Sequence, residues 1–192
     1  MSVFEHLMTL GSFILALGLA SVLMFLARLA HRRKDARFSA PHFIWMAAIF
    51  VNQINFWLGS YALHDITHST YVSIAFVIVF PILLYLQSAL VVADTDGPLD
   101  MQAHHANNKH YYIGLVAIAS GIDALYFIYS AGENPQFDIT IFLAADAVLV
   151  ASALLAIFNN SRAVQLIVPS MHVGVRVFGF VLSSYPLVIV KA

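Results

Sequence analysis

The sequence predicts an all-α protein, a polytopic transmembrane bundle of about six helices. Three observations predict it. Of 192 residues, 61% are hydrophobic and 10% are charged, whereas a soluble domain is about half apolar and about a quarter charged. The mean hydropathy is +0.85. Six segments supply the roughly 20 mostly apolar residues that a bilayer-crossing helix needs. Nine Lys and Arg against ten Asp and Glu leave a net charge of −1. That composition excludes a soluble enzyme, a disordered chain and a nucleic-acid binder with a basic footprint. The lack of cysteine excludes a disulfide-stapled secreted scaffold.

The first predicted span covers residues 7–30 and carries no charge before Arg28. It is too long for the apolar core of a signal peptide, and its basic residues follow it, so it is expected to stay in the mature protein. The next spans are expected at 42–63, 70–93, 111–130 and 138–158. The last falls within 163–190, where Pro169 and Pro186 blur its limits. Five spans with a re-entrant final segment are the alternative. Pro81, near the middle of the third span, removes a backbone hydrogen bond and should kink it. The whole of 1–192 then forms one integral membrane domain.

Orientation follows the bias of Lys and Arg toward the cytoplasmic side. Arg28, Arg32, Arg33, Lys34 and Arg37 make the first loop the most basic. It is expected in the cytoplasm, with both termini outside. Arg32, Arg33, Lys34 and Arg37 are expected to meet anionic lipid. Residues 94–110 form a second cytoplasmic loop. There Asp96, Gly97 and Pro98 mark a helix start, with Asp100 near its positive end. Leu99, Ala103 and Ala106 share one face, and Asp100, His104, Asn107 and Asn108 mostly the other. A short interfacial helix leading into the fourth span is expected.

Ionisable groups in hydrocarbon are costly and mark function by default. At about 1.5 Å per residue, Asp123 lies roughly 10 Å below the outer edge and Asp146 roughly 12 Å. Asn55 reaches the same depth, Asn52 lies one turn further in, and Arg176 sits roughly 14 Å deep if the sixth helix ends at Tyr185. Two acids, one base and two amides therefore share a layer. Small and polar residues form stripes beside it: Ala48, Asn52, Asn55 and Gly59; Gly114, Ala117 and Gly121; Ala145, Leu149, Ser152 and Ala156. Such stripes also suit a homo-oligomer. His172 lies one turn from Arg176. Gln87 is a weaker candidate for the same path.

An uncompensated carboxylate in low dielectric binds a proton or needs a cation. The layer therefore suits a small channel or transporter for a proton or cation. Asp123 and Asp146 would bind the ion, Arg176 would tune it, and Asn52 and Asn55 would supply neutral ligands. No cofactor is expected on that reading. The same residues also suit a static network that orders the bundle.

Nine histidines open a second reading. His64 and His68 stand four apart, outside. Asp100, His104, His105 and His110 lie on the inner side. The spacings are similar to the histidine boxes of membrane di-iron hydroxylases, although topology separates the two groups. A metal or haem oxidoreductase using the inner, cytoplasmic-side histidines, with His42, His110 and His172 at helix ends as candidate haem ligands, is the alternative, and a non-catalytic membrane partner protein is the third. No P-loop, dinucleotide fingerprint or nucleophile elbow is present.

Between Arg28 and Tyr112 a run of landmarks recurs. They are Arg32, Arg33 and Lys34; Pro41, His42 and Trp45; Gln53, Phe56 and Trp57; Pro81, Tyr85 and Leu90; then Asp100 to His104 before Tyr111 and Tyr112. This pattern resembles small multi-pass bacterial membrane proteins of unassigned function. The resemblance implies a bacterial inner-membrane location and no particular activity. It gives weight to Trp45, Trp57 and His104.

Overall fold

The computed structural model describes residues 3–60, 70–93, 99–133 and 139–189. His64, His68, Asp96, Gly97 and Pro98 lie outside the described residues. Six helices follow one another: α1 Val3–His31, α2 Ala40–Gly59, α3 Tyr71–Val91, α4 Met101–Glu133, α5 Thr140–Phe158 and α6 Arg162–Ile189. Five of them, all but α2, are long and apolar enough to cross a membrane. Leu10, Phe13, Leu17, Leu125, Ile128, Leu154, Leu155 and Phe178 stand exposed on their outer faces. An exposed apolar girdle of that kind suits hydrocarbon, not water. The chain is a multi-pass helical membrane protein.

Local chemistry explains the helix starts. Thr70 precedes α3, and its hydroxyl accepts the Ser73 amide at 3.3 Å. Asp100 precedes α4, and its Oδ1 accepts the Ala103 amide at 2.9 Å. Ser161 precedes α6, and its hydroxyl accepts the Val164 amide at 3.3 Å. Each satisfies one of the amides that a helix start leaves without a partner. Pro41 occupies the first turn of α2, where its missing N–H costs nothing.

Packing closes a ring. α1 lies on α3, α3 on α4, α4 on α5, α5 on α6, α6 on α2, and α2 on α1. α2 also reaches α3 and α4. His42, Asn52, Gln53 and Asn55 lower its hydropathy, and its neighbours cover those polar groups. The expected second span packs on four neighbours, α1, α3, α4 and α6. Trp45, Ile49, Leu84, Tyr112, Ile113 and Leu149 are fully buried in the core.

Three expectations change. Residues 101–110 are not a separate interfacial helix; they are the first turns of α4, which runs unbroken to Glu133. The reason is a buried stripe at helical spacing: Met101, His105, Lys109, Tyr112, Val116 and Ser120 all face the bundle. Of the face expected to be apolar, Leu99 is buried, whereas Ala103 and Ala106 are exposed. The last span, whose limits the two prolines blurred, is one helix from Arg162 to Ile189 that runs through Pro169 and Pro186. The small residues Gly59, Gly114 and Gly121 face open space and mediate no close helix approach.

Gly11 and Gly18 do mediate one. A Cβ at Gly11 would meet Pro81 Cγ at 3.3 Å, and one at Gly18 would meet Gln53 Nε2 at 2.6 Å. α1 thus lies directly against the proline of α3 and the glutamine of α2. Gln53 donates to Leu84 O at 3.0 Å and to the Ser88 hydroxyl.

One end of the bundle is basic. The Arg37 amide donates to Leu99 O at 2.8 Å and the Met101 amide to Arg37 O at 3.1 Å. Arg37 Nη1 also reaches Asp100 Oδ2 at 3.4 Å. These bonds tie the basic loop to the start of α4. At the same end, Lys109 and Gln165 close the turn between α5 and α6. Lys109 Nζ donates to Ala156 O at 2.9 Å and Asn159 O at 3.3 Å, and the Gln165 amide donates to both carbonyls at 2.6 Å. The opposite end is aromatic. Phe76 stacks on Tyr126 with centroids 4.0 Å apart, and Phe56 stacks on Phe80 at 4.9 Å.

Candidate ion site

The face of α5 that points inward is Asp146, Leu149, Ala153 and Ala156, at i, i+3, i+7 and i+10. The stripe of α4 ends one turn beyond Ser120, at Asp123. The inward face of α6 carries Gln165, Val168, His172 and Arg176. Three helices therefore present charged side chains to one another inside the bundle. Arg176 lies about 21 Å along α6 from Arg162 at the helical rise.

Arg176 is the hub. Its Nη1 donates to Asp123 Oδ2 at 2.8 Å. Its Nη2 lies 3.3 Å from Asp146 Oδ1 and donates to the Ser120 hydroxyl at 3.2 Å. The Asp146 side chain is only 3% exposed, and those of Asp123 and Arg176 are 16% and 18% exposed. From α2, Asn55 Nδ2 donates to the Arg176 carbonyl at 2.9 Å. The planar guanidinium offers several donors in a fixed fork, which lets one arginine hold two carboxylates and a hydroxyl at once. Two ionised carboxylates against one guanidinium sum to −1.

A cavity of about 10 Å³ adjoins the hub. Ala48, Ile49 and Asn52 of α2, Val116 and Ser120 of α4, and His172 and Arg176 of α6 line it. That volume matches about one water molecule. His172 Nε2 lies 3.1 Å from the Ser152 hydroxyl, and its ring packs on Trp45 with centroids 5.3 Å apart.

The residues expected to share a layer thus do share one. Asp123, Asp146 and Arg176 are in direct contact, Asn55 holds the backbone of Arg176, and Asn52 lines the cavity. Asn55 serves as a donor to a carbonyl and not as a ligand facing the cavity. Ser120 was not anticipated. Its sign in the sequence is the run of polar and apolar residues at three- and four-residue steps from Met101 to Asp123. Gln87 is not on this path; its amide donates to Leu115 O at 3.1 Å.

The histidines expected as metal ligands are placed differently. His105 is buried, with Nε2 donating to Gln165 Oε1 at 3.0 Å and Nδ1 accepting from the Tyr112 hydroxyl. His104 uses Nε2 on Leu90 O at 3.1 Å and Nδ1 on Asn108 at 3.3 Å. His110 is exposed and packs on Tyr111. Asp100 caps α4 and pairs with Arg37. Among the described residues no three His, Asp or Glu side chains converge as a metal site. Trp45 is fully buried, while Trp57 stands 42% exposed. Fold and site together define a multi-pass helical membrane protein with a buried two-acid, one-base hub. Comparison of the chain with family models, curated proteins and solved structures finds no match.

Proposed function

We propose that the protein is a small membrane channel or transporter for a proton or cation, working at Asp123, Asp146 and Arg176. One observation carries the proposal: two carboxylates from different helices share a single guanidinium in the bundle interior, beside a cavity lined by Asn52. A charge excess there is balanced at least cost by a bound proton or cation. Arg176 sets how firmly the ion is held, and Asn55 holds the α6 backbone in place. The membrane is proposed to be a bacterial inner membrane, with the basic end cytoplasmic and Arg32, Arg33, Lys34 and Arg37 on anionic lipid. Ion flux into proteoliposomes tests the proposal. Asp123→Asn and Asp146→Asn should each abolish flux while the variants remain folded in detergent. Unchanged flux in both would remove the proposal and leave the hub a structural network.

A further inference from the structure

Between the hub cavity and the basic end, side chains close the bundle. The cavity lies on the basic-end side of the hub. Ala48 and Ile49 precede Asn55 on α2, Val116 precedes Asp123 on α4, and His172 precedes Arg176 on α6. All three helices begin at the basic end. Next toward that end come Trp45, Tyr112 and Ile113, fully buried in one apolar cluster with Ile49. The Trp45 ring packs on His172 of the cavity wall, with centroids 5.3 Å apart. His42 lies one turn nearer the basic end and is fully buried too. The rings of His104, His105, Tyr112 and Phe25 stand around it, with centroids 5.3, 6.2, 6.2 and 6.4 Å away. From His42 to Asn52 this plug is about 15 Å long at the helical rise.

The plug is apolar in its packing but not in all its atoms. Five buried side-chain polar atoms have no hydrogen-bond partner among the described residues, and three of them lie in the plug: both ring nitrogens of His42 and Nε1 of Trp45. The other two are the oxygens of Gln53 and Gln87, whose amide nitrogens are bonded. A buried donor or acceptor without a partner is costly. Water is the partner such groups take where protein supplies none. Two terms therefore oppose each other at one place. The apolar cluster holds the plug dry, while His42 and Trp45 would gain hydrogen bonds if it were wet. Apolar constrictions in pores open and close by such wetting and drying.

Resting on the ion-handling reading above, we infer that Trp45 is the gate between the hub cavity and the basic end, and that it opens when water enters along His42 and Trp45. The gate requires no proton exchange between the protein's own side chains. It admits a file of water through which the ion reaches Asn52 and the hub.

The test uses the full chain carrying Ala48→Cys, which places a single thiol in the cavity wall of a protein that has no cysteine. Membrane vesicles with the basic end facing the bath, identified by labelling of Asp35→Cys, receive methanethiosulfonate ethyltrimethylammonium, and the modified fraction is read by mass. Trp45→Ala removes the obstructing ring and should speed labelling at position 48. His42→Phe keeps a ring but removes its polar atoms and should slow it. Each change should be about tenfold, the effect of one hydrogen bond on an open–closed equilibrium. Opposite signs identify the gate, since a merely structural plug would leak in both variants. Labelling of Asp35→Cys should stay constant throughout, which guards against general unfolding. Where Trp45→Ala does not fold, Ile49→Thr adds a hydroxyl to the plug and should also speed labelling; His42→Leu stands in for His42→Phe. Faster labelling in His42→Phe, or equal rates in all variants, overturns the gate. If labelling follows the expected pattern while Asp123→Asn and Asp146→Asn leave flux unchanged, the gate stands and the ion-binding hub falls. If those two variants lose flux and labelling ignores Trp45 and His42, the hub stands and the gate falls.

Discussion

Arg176 holds more of this molecule together than any other polar side chain described. It neutralises Asp123 and engages Asp146 and Ser120 on two neighbouring helices. Removing one partner of a buried ion pair leaves a desolvated charge with no counterpart, at a cost of about 3–5 kcal/mol. Arg176→Leu is therefore expected to be strongly destabilising, seen as a large drop in the unfolding midpoint in detergent. Arg176→Leu combined with Asp123→Asn and Asp146→Asn removes all three charges and should recover much of that loss. Gly18 is the second sensitive residue. A Cβ there would lie 2.6 Å from the Gln53 amide, which Leu84 and Ser88 hold in place. Gly18→Ala should cost about 1–3 kcal/mol, the range for overpacking. Paired with Gln53→Ala, the cost should shrink, and a double-mutant cycle reads that coupling directly. Additive effects would show that α1 relieves the clash by moving elsewhere.

At the scale of an element, α4 does the most. Its inward stripe carries the basic-end cluster, the core and the hub on a single rigid rod. Lys109 belongs to that stripe, yet it serves another helix by donating to carbonyls at the end of α5. A cation at a helix C-terminus stabilises it, by up to about 2 kcal/mol in partly buried geometry. Lys109→Met should therefore loosen the α5–α6 turn. Hydrogen exchange at the amides near Phe158 should quicken while exchange in α1 stays as it was. The stripe was partly legible in the sequence. Its three- and four-residue steps are present from Met101 onward, but six of the ten residues from Met101 to His110 are His, Asn or Lys. Composition made that stretch look like a solvated or interfacial piece. Burial against its neighbours overrides it, because α6 supplies a hydrogen-bond partner for His105 and the end of α5 supplies those for Lys109.

For the whole molecule, the ring of helices gathers seven of the nine basic residues at one end: Arg28, Arg32, Arg33, Lys34, Arg37, Lys109 and Arg162. By the bias of basic residues this end is the one proposed to face the cytoplasm. The chain has no cysteine, so a single introduced thiol reports its side without background. Asp35→Cys, on the exposed basic loop, should react with a membrane-impermeant maleimide in inside-out vesicles and stay unlabelled in intact cells. The reverse pattern would invert the orientation and with it the direction assigned to any flux. The histidine-rich composition is decided at this scale too. The ring closes so that His42, His104 and His105 meet, while His110 turns outward. No spacing rule separates those outcomes, since all four lie near the same helix ends.

Membrane residence, the helical class and the convergence of Asp123, Asp146 and Arg176 on one level of the bundle were legible along the chain. They depend on composition and on the fixed rise of a helix, both of which are local. The azimuth of each charge was not. Whether Asp123, Asp146 and Arg176 face one another depends on how three helices rotate about their axes, and that follows from packing between residues far apart in the chain. The same holds for α2, whose place among four neighbours covers its amides and histidine. Asn55, expected as an ion ligand, clasps the α6 backbone for that reason: the carbonyl it meets belongs to a residue 121 positions away.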